Sequence, residues 1–316
     1  MSDKSNNQGR AYEFAWIEIL NQALSEFGST KIIKNSGLES NRRAWQKISY
    51  EQQEIYKISV LSTIKTVFEL EPRMIELEND ELMLEFQKDG FGVKGDVRDI
   101  VIRRKNLDWE IGLSIKHNHD AVKHSRLSHK IDFGSEWFGK SCSDDYWNAV
   151  NPIFNRLKTL RGAKMRWSEI DKVESVYIPL LQAFINEIVK SYREDKSIPR
   201  KMIEYLIGIK DYYKIVSQDD KQLTLIHTFN MHGTLNKSGK VISAITVPKI
   251  SLPTELVALK FKSNSKNTIE MYLNNGWQLS FRIHNASTKV EPSLKFDIQF
   301  IGMPPSVISI ECHWKR

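Results

Sequence analysis

The sequence predicts an α/β protein, on three observations: two amphipathic helices near the N-terminus, a hairpin within residues 95–118 whose polar strand ends meet, and several short β-rich runs in the last third. In chain order, a short polar arm leads to a helix over residues 10–27, where Tyr12, Phe14, Ala15, Trp16, Ile19, Leu20 and Leu24 make a wide apolar stripe. Glu13 sits early in this helix among apolar neighbours. It is either a solvated first-turn glutamate favoured by the helix dipole or a carboxylate reaching a metal. Residues 31–47 are polar, with Gly, Ser and Asn, and read as a loop. Residues 51–69 carry Ile55, Ile58, Leu61, Ile64, Val67 and Phe68 at helical spacing, and Pro72 stops that second helix. Short strands are expected at 74–77 and 82–86, around Glu78-Asn79-Asp80, and Asp89-Gly90 begins the turn into the hairpin.

The hairpin joins the apolar runs 100–102 and 109–116 through the polar segment 103–108. Because side chains alternate along a strand, Glu110, Gly112, Ser114 and Lys116 face one way and Trp109, Ile111, Leu113 and Ile115 the other. A two-residue loop at Asn106-Leu107 puts Asp99 opposite Ser114, with Lys116 a diagonal step away on the same face. A slip of one residue puts Asp96 opposite Lys116 instead. Asp99 is favoured because it directly precedes the apolar strand, and Asp96 is kept as a second ligand or a neighbour. Such a group is either an exposed cross-strand ion pair or the start of a metal-assisted phosphodiesterase site. In the second case carboxylates hold Mg²⁺, and the lysine positions water or offsets transition-state charge.

Beyond the hairpin, His117, Asn118, His119, Lys123, His124, Ser125 and Arg126 read as a basic, hydrogen-bonding surface for backbone phosphates, or as a solvated basic face. Residues 132–138 read as an aromatic-bearing loop, 144–157 as a helix interrupted by Pro152, and 176–192 as a strong helix; Pro199 opens another. These helices read as scaffold. The runs 223–229, 255–261, 268–273, 277–283 and 294–301 predict a mostly β region. Arg282, His284, Asn285 and Lys289 are its candidates for phosphates and base edges, with Arg282 and Asn285 first for guanine and neighbouring bases.

Composition narrows the class. The 316 residues include 46 Lys plus Arg against 39 Asp plus Glu, a formal charge of +7 that leans toward a polyanionic partner. Cys142 and Cys312 lie in no ligand-like spacing, so neither a disulfide framework nor a zinc site is expected, and a cytoplasmic location is. The start, MSDKSNNQGR, has no apolar signal core, and no segment is apolar enough to span a membrane.

An Asp opening one strand and an x-Lys closing the next resembles the PD-(D/E)xK nuclease core. Here Arg98 stands where that pattern has proline, and Ser114 occupies the acidic position before Ile115-Lys116. A subset of restriction endonucleases is similar in using Ser-x-Lys, with the missing carboxylate supplied from elsewhere, often a helix; Glu13, Glu110 and Asp96 compete for that role. Over nearly the whole chain, the blocks KSNNQGRAYEFA, DVRDIVI, WEIGLSIKHNHDAVKHSRLS and SFRIHNASTKVEPSLKFDIQFIGMP resemble the HaeIII family of type II restriction endonucleases. That resemblance implies a Mg²⁺-dependent enzyme cutting double-stranded DNA at GGCC, within a restriction-modification system that pairs it with a protecting DNA methyltransferase. Composition and periodicity alone reach only a metal-and-lysine site on a basic α/β protein. They leave open a structure-selective or repair nuclease and a non-catalytic DNA-binding module. The expected division is a helical and α/β nuclease region over 1–215 and a mostly β recognition region over 216–316, with a linker near 236–240. A palindromic site is conveniently served by two-fold symmetry, so monomer and homodimer both remain open.

Overall fold

A computed structural model describes residues 2–76, 80–87, 95–104, 106–118, 122, 125–237 and 239–315, with side chains from residue 7 onward. In chain order the elements are α1 (Ser2–Ser25), β1 (Thr30–Ile32), α2 (Ser36–Trp45), α3 (Tyr50–Leu70), β2 (Leu82–Phe86), β3 (Ile100–Arg104), β4 (Trp109–His117) and β5 (Arg126–Ser128). Then follow α4 (Phe133–Phe138), α5 (Asp144–Gly162), α6 (Ile178–Glu194), α7 (Ile198–Ile207), β6 (Tyr212–Gln218) and β7 (Leu223–Phe229). The chain ends with β8 (Leu256–Phe261), β9 (Thr268–Leu273), β10 (Gln278–His284), β11 (Ser293–Gly302) and β12 (Ser309–His313). This is the mixed α/β class that the pattern predicts.

Contacts gather the chain into two compact units interleaved in sequence, 1–120 with 208–250 and 305–316, and 121–207 with 251–304. They do not follow a single cut near residue 215. The first unit holds a seven-stranded mixed sheet in the order β1-β2-β3-β4-β6-β7-β12. β1 runs parallel to β2 and β4 parallel to β6, while β2, β3 and β4 are antiparallel. Tyr12, Trp16 and Leu20 of α1 and Tyr56, Val60 and Val67 of α3 bury against Ile111, Leu113, Ile115, Ile215 and Ile226 of the sheet. The second unit holds a five-stranded antiparallel sheet, β5-β11-β10-β9-β8. Its rings pack tightly: Phe184 lies 4.7 Å from Phe133, 5.5 Å from Trp137 and 5.1 Å from Phe296.

Several expectations change. The N-terminal polar arm is helical from Ser2. The stretch 31–47, expected as a loop, contains most of β1 and all of α2. Apart from Asn41 its polar residues are not buried, and only Leu38, Asn41 and Ala44 are, so composition concealed a short helix with a narrow buried face. Met74 closes a single 3-10 turn, Pro72–Met74, and Ile75 and Glu76 follow as turn and bend and not as a strand; Leu77, like Glu78, Asn79, Asp89 and Gly90, lies outside the described residues. The segment 132–138 is helical, because the Asp132 carboxylate caps Ser135 N–H and Gly139 leaves the helix at φ 73°. Pro152 sits within an unbroken α5. Asn148, whose carbonyl loses its helical partner to the proline, is an exposed residue.

Asn35 anchors α2 at both ends of its side chain: Oδ1 accepts from Leu38 N–H at 3.0 Å and Nδ2 donates to the Phe86 carbonyl at 2.8 Å. Asn35→Ala is expected to lower unfolding free energy by about 1–2 kcal/mol, and Asn35→Asp, which keeps only the cap, by less. Denaturant melts of the two variants measure this, and an alanine variant as stable as the parent refutes it.

Candidate active site

The two strands of the hairpin meet in the register that period-two alternation predicts. Ile100 pairs with Leu113 and the pairing runs to Arg104 with Trp109, so Asp99 stands opposite Ser114. The alternative register, with Asp96 opposite Lys116, is not adopted. Asp99 N–H donates to the Leu113 carbonyl at 2.8 Å. Its carboxylate Oδ2 accepts from Ile115 N–H at 2.6 Å, Lys116 Nζ at 2.9 Å and Ser114 Oγ at 3.2 Å. Three donors converge on one oxygen. Among the described residues Oδ1 has no hydrogen-bond partner, and the Asp99 and Lys116 side chains are 22% and 32% exposed, enough to meet a ligand.

Glu13 joins this pair from α1. Burial, and then the negative charge of Asp99, push its carboxyl up to about 8, partly opposed by Lys116, by a hydrogen bond from Asn41 and by Arg10. Asn41 Nδ2 donates to Glu13 Oε2 at 2.8 Å. Desolvation works against the Lys116 ammonium, but the charges of Asp99 and Glu13 outweigh it and hold its pKa above the ordinary lysine value. Asn41 was not visible as a site residue, because it lies in the segment whose polarity reads as loop. Its one signal is a buried asparagine on the inner face of α2.

The other two acidic candidates are engaged elsewhere. Arg98 binds Asp96 through Nε to Oδ1 at 2.8 Å and Nη2 to Oδ2 at 2.7 Å, and Glu110 through Nη1 at 2.8 Å. Gln87 adds a donor to Asp96 at 2.6 Å. Arg103 holds the second oxygen of Glu110 at 2.9 Å and reaches Glu85 at 2.9 Å. Burial disfavours the Glu110 carboxylate, yet the two arginines prevail and its pKa falls. The Arg98 stem lies flat on Gly112, where an added Cβ would come within 1.9 Å of Arg98 Cδ. Thus Asp99, Ser114, Lys116 and Glu13 come together, while Asp96 and Glu110 neutralise a buried guanidinium. Among the described residues no group of three or more His, Cys, Asp or Glu side chains is placed to hold a metal ion.

The sequence profile of the HaeIII restriction endonuclease family matches residues 9–304, a span that includes Glu13, Asp99 and Lys116. The chain belongs to that family. The curated type II restriction enzyme HaeIII of Haemophilus aegyptius is 49% identical over 319 residues, covering the whole of both chains. No solved structure matches. Membership makes the chain a type II restriction endonuclease, and the remaining residues expected to bind DNA can be located with that in view.

His117 faces away from Lys116 into the interior, 4% exposed, with Nε2 2.8 Å from Asp219 Oδ2 and Nδ1 3.2 Å from the Tyr56 hydroxyl. Asn118 accepts from Asp219 N–H at 2.9 Å. His119, Lys123 and His124 lie outside the described residues. In the second unit, Ser125 is buried against the Tyr205 hydroxyl at 3.3 Å, and Arg126 donates to Ser293 Oγ at 3.1 Å. Arg282 is exposed beside Asp297 at 2.9 Å. Asn285 accepts from Tyr177 and Lys172 at 2.9 and 3.2 Å, with His284 Nδ1 3.1 Å from its carbonyl, and Lys289 is exposed.

Glu13 carries a stability signature. Between its ordinary value of 4.5 and about 8 the unfolded chain has released a proton that folded Glu13 retains, so its contribution to stability falls as pH rises through that window. Glu13→Gln, which keeps an acceptor for Asn41, is expected to melt higher than the parent at pH near 8, by at least about 2 °C, and to lose the advantage toward pH 4.5. Melting curves across pH test it; parallel curves for the two proteins sink it.

Proposed function

We propose that Glu13, Asp99 and Lys116 form the active centre of a Mg²⁺-dependent endonuclease built on a PD-(D/E)xK-like core, with Glu13 in place of the carboxylate absent at Ser114. The observation that carries this reading is the convergence of a lysine and two carboxylates at one end of the sheet, with one carboxylate raised by the other's charge. The donor set fits a hard divalent cation: Asp99 keeps Oδ1 available among the described residues, and Glu13 bears a charge conflict that a cation offsets. Glu13 and Asp99 would hold it, and the chemistry that Mg²⁺ supplies when bound is polarisation of the scissile phosphate and acidification of the attacking water.

The protein's own groups do the rest. Ser114 Oγ and Ile115 N–H fix the plane of the Asp99 carboxylate. Lys116, kept charged by two carboxylates, offsets the negative charge that grows on the phosphate oxygens as water adds. Asn41 orients Glu13, whose proton must leave before it can serve as a ligand. Arg98 acts at one remove, holding Asp96 and Glu110 away from the reacting phosphate.

The substrate proposed is double-stranded DNA at GGCC, with a methyltransferase of the same specificity protecting cytoplasmic host DNA. Arg282, His284, Asn285 and Lys289 remain the proposed contacts of the second unit, with Arg282 exchanging Asp297 for guanine O6 and N7. Incubation of plasmid with protein and Mg²⁺ should yield discrete fragments ending within GGCC, and chelation should stop cleavage. Glu13→Gln, Asp99→Ala and Lys116→Ala should each lower cleavage at least about a hundredfold with duplex binding retained. The Mg²⁺ concentration giving half-maximal cleavage should fall as pH rises through about 8, where Glu13 ionises. Full activity of Glu13→Gln removes Glu13 from the centre, and absence of discrete fragments from active preparations refutes the site-specific reading.

A further inference from the structure

The chain from Tyr146 to Ser168 contains five cations, Arg156, Lys158, Arg161, Lys164 and Arg166, and no carboxylate. That excess of five compares with +7 for the whole protein. All five residues are exposed, on the C-terminal half of α5 and the turn that follows it. Among the described residues none of them pairs with a carboxylate: Lys158 donates to Asn155 Oδ1 at 3.3 Å, and Glu169 accepts from the backbone N–H of Arg166, not from its guanidinium. Cations in a last helical turn complement the helix dipole, which accounts for Arg161 but not for Arg156 and Lys158, which precede that turn, nor for Lys164 and Arg166, which lie beyond the helix end.

A second observation comes from another part of the same unit. Arg166 forms an isolated antiparallel bridge with Lys289, flanked by Trp167 N–H to the Thr288 carbonyl at 3.1 Å and Val290 N–H to the Met165 carbonyl at 3.0 Å. Residues directly opposite in such a pair project to the same face with Cβ atoms about 5 Å apart, where like charges destabilise the pairing. Glu291, two residues further on, makes no ion pair with either among the described residues. Two opposed, exposed and uncompensated cations at the end of a cationic helix form a local repulsion that a bound anion relieves.

We infer that this ridge, from Arg156 to Arg166 with Lys289, binds the sugar-phosphate backbone of duplex DNA without reading its sequence. The inference rests on DNA being the family's substrate and adds, from Arg156 to Arg166, a surface that the active centre and the contacts already proposed do not include, with Lys289, one of those contacts, given the phosphate role. Cations reaching phosphates release condensed counterions and fix the protein's register on the duplex while carrying no base information. The ridge therefore adds equally to binding at the recognition site and elsewhere.

The test measures binding of the full chain, by anisotropy without Mg²⁺, to one duplex containing GGCC and one lacking it, over a range of salt. Two variants are used: Arg166→Gln with Lys289→Gln, and Lys158→Gln with Arg161→Gln and Lys164→Gln. The double variant should weaken binding to both duplexes by the same factor and lower the slope of log K against log salt by about 1.8, that is about 0.9 for each phosphate contact. The triple variant should lower it by up to about 2.7 on the same basis. Because the double variant removes a repulsion, its melting temperature should equal or exceed the parent's, which separates lost binding from lost folding. Unchanged slopes in both variants overturn the proposal, as does weakening confined to the GGCC duplex. Parent protein that neither binds nor cuts DNA refutes the DNA reading itself, a different failure from binding that persists without the ridge.

Discussion

Arg98 is withdrawn from solvent, 4% exposed, and a guanidinium in that position must be matched by negative charge or the fold bears an uncompensated buried ion. Asp96 and Glu110 supply the match from both sides, and Arg103 and Glu85 extend the alternation outward across β2, β3 and β4. Gly112 makes the arrangement possible, because only a residue without Cβ lets the arginine stem lie on the strand. The division of labour among the acidic residues follows. Two carboxylates near the hairpin are held by arginine, and Asp99, one residue after Arg98, points instead to Ser114, Ile115 and Lys116. Were Arg98 uncharged, Asp96 would lose its ion pair and Glu110 would keep only Arg103, leaving uncompensated negative charge beside the proposed metal ligands.

The opposite side of the sheet fixes the other half of the proposed centre. Tyr12 hydrogen-bonds Ser59 at 2.7 Å, and Ser59 in turn meets Thr224 at 2.8 Å and Ser217 at 3.2 Å. These fully buried groups tie α1 and α3 to β6 and β7. Successive residues of a helix are set about 100° apart, so fixing the rotation of α1 through Tyr12 also fixes where Glu13 points. His117 serves the same end on β4: held by Tyr56 and Asp219, it locks the strand terminus whose preceding residue, Lys116, faces the other way. A buried polar network of this kind constrains geometry more than its net energy implies, since each group is costly to leave unpaired.

The hairpin register was legible because it rests on a period of two, which a polar-apolar alternation displays directly, and the Asp99–Lys116 pairing followed from it. The two long helices were legible for the same reason. What stayed hidden depends on single side chains. α2 buries only Leu38, Asn41 and Ala44, too few for a stripe, and with it went Asn41, the residue that orients Glu13. Asp96, Glu110 and Glu13 were indistinguishable by spacing, because the deciding factor is a three-dimensional one: which carboxylates an arginine reaches. Arg98 was noticed only as a departure from proline, and nothing local shows that its stem lies on Gly112. His117 looked available because it adjoins basic residues, yet strand parity, applied one residue past Lys116, turns it inward. β12 was missed because its partner, β7, lies far away along the chain.

Glu13 is a poor structural residue. Its carboxylate is desolvated, faces the like charge of Asp99, and titrates near 8, so at neutral pH the fold keeps it protonated. Its one hydrogen bond among the described residues, from Asn41, needs only an acceptor oxygen, which a neutral amide offers equally well. Stability alone therefore favours glutamine at this position. What glutamate alone adds is a second ionisable oxygen pair beside Asp99, with Lys116 close enough to share the charge. A carboxylate whose cost is electrostatic repulsion from another carboxylate has its use when a cation lies between them, and strain concentrated in this way marks a functional site more sharply than the hairpin's own ion pair. The same reasoning separates Glu13 from Glu110. Glu110 is lowered by its arginines and is already satisfied, so a metal has nothing to gain from it that Arg98 would not lose.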